Sequence, residues 1–162
     1  MRVWHYLERL EDRIGIWLIY LLILLTVAQV FFRYVLNHPL GWSEELVRYV
    51  FIWSVFWGAA IVMRHREHIS VELFHQHLSP ATRRVVNIVN SVCILGFLGF
   101  VIPTALGFAI YAYRLKSVAT EIPMFFVYVS LPVGGVLMAL HCVMAIREDL
   151  LLLRQRDAVI HK

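Results

Sequence analysis

An all-α integral membrane protein with four transmembrane helices is the fold class that this sequence predicts, and three observations predict it. Hydrophobic residues make up 60% of the 162 positions against 16% charged, and the mean hydropathy is +0.72, a balance foreign to a domain with a solvated surface. Four apolar runs, at about residues 14–32, 44–63, 85–113 and 122–146, are long enough as helices to cross a hydrocarbon core of roughly 30 Å. The arginines and lysines segregate between these runs. With the N-terminus cytoplasmic, the inner segments hold 11 of them (Arg2, Arg9, Arg13, Arg64, Arg66, Arg83, Arg84, Arg147, Arg154, Arg156, Lys162) and the outer loops 4 (Arg33, Arg48, Arg114, Lys116). The positive-inside rule therefore places both termini in the cytoplasm. The whole chain, 1–162, reads as a single four-helix membrane domain.

Residues 2–13 set Val3, Leu7, Leu10 and Ile14 at helical spacing with charges opposite. They read equally as a short interfacial helix or as a continuation of the first span. That span lacks the small-residue cleavage pattern of a signal peptide and reads as a retained helix. Asn37, His38, Pro39 and Gly41 then mark a turn. The segment from Arg64 to Arg84 is the longest connection, and "ISVELFHQHLSP" within it is apolar enough to rest on the interface, ending at Pro80. The third span exceeds what a bilayer requires and carries Pro103 near its middle, where a kink is expected. In the fourth, Pro123 suits the first helical turn, while Pro132 lies inside and predicts a bend. The C-terminal segment extends this helix into the cytoplasm.

The histidines invite a metal or haem reading. His65, His68, His75 and His77 fall in one loop and contain the nitrogen donors that zinc or copper takes. The plainer reading is a basic loop beside anionic head groups. A bis-histidine haem needs two intramembrane histidines on facing helices, and only His141 lies inside a span. Cys93 and Cys142 sit in apolar runs and read as packed thiols. The net charge of +4 requires no nucleic acid.

Ion and substrate pathways need charged groups or broken helices within the membrane. Apart from His141, the uncharged runs 14–32, 49–63, 85–113 and 122–146 hold no ionisable acid or base, and no internal repeat is present. This chain is therefore not expected to transport by itself. Small residues four apart, at Ser54/Gly58, Ser130/Gly134 and Gly135/Ala139, instead supply helix-packing material. Trp53, in mid-helix, faces either lipid or a partner.

"WSEELVRYVFIW", residues 42–53, joins two carboxylates and an arginine to a greasy run. Tyr49 to Met63 gives only about 22 Å of helix, so the span must borrow the turn that starts at Glu44. Ser43 then reads as the N-cap, with Glu44 and Glu45 at the positive end of the helix dipole. Arg48 stands four residues after Glu44 and three after Glu45, spacings that allow an ion pair.

The block "RYVLNHPLGWSEELVRYVFIWSVFWGAAIVMRHREHISVELF" resembles the signature region of the small membrane subunit of tripartite ATP-independent periplasmic (TRAP) transporters, the DctQ-like family. Arg33, Tyr34, Trp42, Glu44, Glu45, Arg48, Trp53, Gly58, Arg64 and His68 carry that resemblance. "IPMFFVYVSLPVGGVLM", with Pro123, Tyr128, Pro132 and Gly134, resembles the family's fourth-helix motif. The resemblance implies a non-catalytic subunit of a bacterial inner membrane, without cofactors. It further implies pairing with a large multi-spanning subunit that moves an organic acid with sodium, after delivery by a periplasmic substrate-binding protein. These residues are then structural or interface positions, and membrane lipids are the remaining partners. Arg33, Glu44, Glu45 and Arg48 are expected to tie the first two helices together at the outer face. The runner-up is a haem-binding membrane anchor of a redox enzyme.

Overall fold

The computed structural model describes residues 2–38, 40–65 and 80–160. In chain order these form α1 (Arg2–Tyr34), α2 (Gly41–His65), α3 (Pro80–Ala112), the one-turn α4 (Phe125–Tyr128) and α5 (Ser130–Ile160). Among the described residues, four stretches are long and apolar enough to cross a bilayer: Tyr6–Tyr34, Gly41–His65, Arg84–Ala112 and Phe125–Leu153. The last joins α4 to most of α5. The expected helix in the loop after α2 falls outside the described residues.

No separate helix precedes the first span. Residues 2–13 continue it, as the second of the two sequence readings holds, because no proline or glycine interrupts the chain before Gly15. At about 1.5 Å per residue, the 33 residues of α1 reach roughly 50 Å, well beyond the hydrocarbon thickness. Of the apolar stripe noted above, Leu7 and Leu10 turn outward, 45% and 53% exposed. The inward stripe is instead Trp4, Glu8, Glu11, Gly15, Leu18, Leu22 and Leu25, alternately four and three residues apart. In water the apolar face of an amphipathic helix would seek the core; here the polar stripe does.

After α1 the N–H groups of Val35 and Leu36 both bond the Phe31 carbonyl, and His38 bonds that of Phe32. Asn37 adopts φ 51°, a left-handed position that asparagine tolerates, and so closes the helix end. The chain re-enters helix at Gly41. Ser43 is consequently not the N-cap that its sequence context suggests: its N–H bonds the Leu40 carbonyl at 3.0 Å. Its buried hydroxyl donates to that same oxygen at 2.7 Å.

Helix α3 runs unbroken through Pro103. The fourth span does break, at Val129, between α4 and α5. Pro132 has no N–H to offer the Tyr128 carbonyl, so one rung of the ladder is missing. Val133 to Val129 at 3.1 Å resumes it, and Ser130 Oγ donates to the Val127 carbonyl at 2.6 Å. Pro123 stands just before α4 rather than within its first turn, and its carbonyl accepts the Phe126 N–H.

The helices pack in the spatial order α1, α2, α5, α3, with α4 against α3. Burial follows this order. One third of the apolar window of the fourth span is buried (33%), 17% of the second, 6% of the third and none of the first. The flanks of the bundle, α1 and α3, therefore present apolar surface to whatever surrounds them. Gly134 sets the α2–α5 spacing, since a Cβ there would lie 2.8 Å from the Phe56 carbonyl oxygen. Gly135 meets Ile102 of α3 in the same way at 3.0 Å. Gly58, which pairs with Ser54 at the same spacing, has nothing within 4 Å of such a Cβ.

Candidate functional site

Polar side chains cross between helices at each end of the bundle. At the first end, α1 stops, α2 starts and the α3–α4 loop folds back on itself. The Ser117 N–H bonds the Ile122 carbonyl and the Met124 N–H that of Leu115, so residues 115–124 form a narrow hairpin-like turn. Glu121 sits at φ 53° within it, a strained position for a residue with a Cβ. Glu45 holds this turn. Its carboxylate accepts the Ala119 N–H, the Thr120 N–H and the Thr120 hydroxyl, each at 3.1 Å, and the Ser117 hydroxyl as well. Tyr49, one turn on, adds its hydroxyl at 3.5 Å. A carboxylate is acceptor-only, and this one meets two hydroxyl and two amide donors from a single loop.

The expectation that Glu45 ties α1 to α2 is therefore corrected: it ties α2 to the α3–α4 loop. Only Glu44 reaches α1, through Arg33 Nη1 at 3.1 Å, with both side chains about half exposed. Arg48 pairs with neither glutamate, and among the described residues it makes no hydrogen bond or ion pair. It is exposed along a cleft of about 530 Å³ between α1 and α2, which Thr26, Gln29, Arg33 and Glu44 also line.

Below this belt, Trp53 faces inward and donates its indole N–H to the Phe126 carbonyl at 2.9 Å. That carbonyl lies at the break near Pro132, so the tryptophan fastens α2 to α4 where the ladder is weakest. Tyr128 packs edge-on against Phe108 of α3, with centroids 4.8 Å apart. Tyr34 and Trp42 point outward, the first largely and the second about half exposed.

At the opposite end the polar group is buried. Glu11 is 7% exposed and His141 5%, and His141 Nε2 lies 3.0 Å from Glu11 Oε2. An ionised carboxylate only accepts, so the ring presents Nε2–H to it. Arg64 of α2 reaches the same carboxylate at 3.4 Å, donates to the Glu8 carbonyl at 3.0 Å, and pairs with Asp12. The Trp57 indole donates to the Glu11 carbonyl at 2.9 Å, and Trp4 meets the His141 ring edge-on at 5.6 Å. Three helices thus converge on one carboxylate.

Arg64 is the only residue of the sequence signature in this group; Glu11, Asp12, His141, Trp4 and Trp57 were not singled out as site residues. The usable signal is the spacing Trp4, Glu8, Glu11, Gly15, which runs in register with Leu18, Leu22 and Leu25. His68 and the other histidines of its loop beyond His65 lie outside the described residues. Among the described residues, no three histidine, cysteine or acidic side chains converge as a metal site. His141 spends Nε2 on Glu11, which lends the haem reading no support. Chemically, the Glu11 and Glu45 carboxylates are held by fixed donors, an arrangement that fastens helices.

The family model of the DctQ component of tripartite ATP-independent periplasmic transporters matches residues 22–152. A putative TRAP transporter small permease protein of Haemophilus influenzae is 25% identical over 84% of this chain and 82% of its own length. The sialic acid TRAP transporter small permease protein SiaQ of Vibrio cholerae is 27% identical over 82% of this chain and 76% of its own. The sialic acid TRAP transporter permease protein SiaT of Haemophilus influenzae is 26% identical over 86% of this chain but only 23% of its own length. In that protein a segment of this kind forms part of a much longer permease.

Proposed function

This chain belongs to the DctQ component family of TRAP transporters, a membrane-spanning small permease subunit that works with a large one, and from that membership we propose how it works. It is the non-catalytic scaffold of a sodium-coupled importer of an organic acid in a bacterial inner membrane, with both termini cytoplasmic. Its spans hold the static part of the large multi-spanning subunit in position. A periplasmic substrate-binding protein delivers the acid to the assembly.

The observation that carries this reading is the division of labour between the inside and the flanks. Glu11, His141, Arg64 and Glu45 are committed to fixed contacts between helices or with the α3–α4 loop, whereas the apolar windows of α1 and α3 are almost wholly unburied. A path for ions or substrate needs polar groups that can change partners. A scaffold needs fixed internal contacts and open apolar flanks, where van der Waals packing of helices drives association. The Glu45-held loop and the Arg33–Glu44 pair lie at the periplasmic face in this topology, which also faces the binding protein.

Affinity purification of the tagged chain from gently solubilised host membranes tests the assignment. Recovery of a large multi-spanning permease in near-equal amount is expected. Recovery of the chain without any such subunit, under conditions that keep other membrane complexes whole, would contradict it.

A further inference from the structure

The cleft between α1 and α2 has a polar end and an apolar end. Arg33, Glu44, Arg48 and Gln29 line the first; Leu22 and Phe51 line the second. Along α1, Arg33 and Leu22 are 11 residues apart, so the cleft runs about 16 Å down the helix pair. Its formal charge is that of two arginines and one glutamate, net +1. Glu44 is engaged by Arg33. Arg48 is left with no ion pair or hydrogen bond among the described residues, and the Gln29 amide is equally unused there.

Arg48 sits seven residues beyond Gly41, about 10 Å inside the start of α2 at roughly 1.5 Å per residue. An unneutralised arginine within a membrane span is costly, most at the helix centre and less toward the interface. Its guanidinium offers a planar fork of donors suited to phosphate oxygens.

We propose that this cleft binds one phospholipid, its phosphate on Arg48 and Gln29 at the Arg33 end and an acyl chain along Leu22 and Phe51. A small soluble anion would use only the charged half and leave the apolar half without a function. A lipid brings an anionic phosphate and an acyl chain in one molecule, matching both ends of the cleft, and is present in great excess around any span. The proposal goes beyond the transporter assignment and requires only that the chain spans a bilayer.

Native mass spectrometry of the full chain in mild non-ionic detergent, alone and in its purified complex, tests it. The expected spectrum shows one phospholipid adduct, identified by fragmentation. Arg48→Gln should lower its occupancy at least about tenfold, Arg48→Lys less, and Lys116→Gln, an outer cation that does not line the cleft, not at all. Phe51→Ala weakens retention without touching charge, and helicity with thermal midpoint shows whether each variant is folded. Rebinding to delipidated protein should occur with phosphatidylethanolamine or phosphatidylglycerol but not with diacylglycerol of the same chains. A wild-type chain that neither carries nor rebinds lipid would overturn the proposal, as would an adduct indifferent to Arg48→Gln in a folded variant. Displacement of the lipid by millimolar inorganic phosphate would make this a free-anion site. Loss of the adduct in the complex, with Arg48 crosslinked to an acidic residue of the large subunit, would assign the cleft to that partner.

Discussion

At the Glu11 end a carboxylate is held by two side chains from two other helices, and all three partners are nearly removed from the surface. At the Glu45 end the carboxylate is held chiefly by one short loop, and the neighbouring Arg33–Glu44 pair stands half exposed. Both are networks of charge-assisted hydrogen bonds. They differ in what is stranded when one member is lost. Removing a partner inside leaves a buried charge uncompensated, while removing one at the exposed pair leaves it to the interface or to water. The first end should carry stability, and the second should set the shape of the surface around the α3–α4 loop.

The largest expected effect is at Glu11. Glu11→Ala strands the buried His141 ring and removes one of the acceptors of Arg64, which keeps Asp12 and the Glu8 carbonyl, and should cost on the order of 3 kcal/mol, read as the unfolding midpoint in mixed detergent–SDS micelles. His141→Ala should cost less alone, and the double variant should cost less than the sum, because the two share one interaction. Strict additivity would break the claim that they form a unit. Next is Gly134→Val, whose Cβ meets the Phe56 backbone rather than a movable side chain. A loss of about 1–3 kcal/mol is expected, against no measurable change for Gly58→Ala, by the same assay.

Glu45→Gln should leave global stability little changed but loosen the loop. Faster deuterium exchange at the Ala119 and Thr120 amides is the direct readout, since Glu45 accepts both. The smallest effect belongs to Glu44→Gln, at or below about 1 kcal/mol, because the pair it breaks is half exposed. Complex recovery should fall with Glu45→Gln and stay near wild type with Glu44→Gln; equal losses would erase the distinction between them.

The four spans were legible because lipid demands long apolar helices, and that demand is written in local composition. The contribution of Trp53 was legible only as a choice between lipid and a partner; its partner is the Phe126 carbonyl, 73 residues away. Glu45 was misassigned for a similar reason. Its donors lie 72–75 residues downstream in a loop whose fold depends on the turn at Glu121. Glu11 is not legible from local pattern because charges on an amphipathic stretch face outward in soluble proteins. In a bundle whose surroundings are apolar, the outward positions went to Leu7 and Leu10 and the inward ones to Glu8 and Glu11. Ser43 looked like a cap because serine so often is one, yet the helix starts two residues earlier.

The central claim is that this chain supports transport without performing it. Uptake into sealed proteoliposomes tests that claim most directly, comparing the chain alone, the large subunit alone and the two together, each with the binding protein, its organic acid and a sodium gradient. Uptake is predicted from the pair alone. Uptake by this chain without the large subunit, or equal uptake by the large subunit without this chain, would contradict the account.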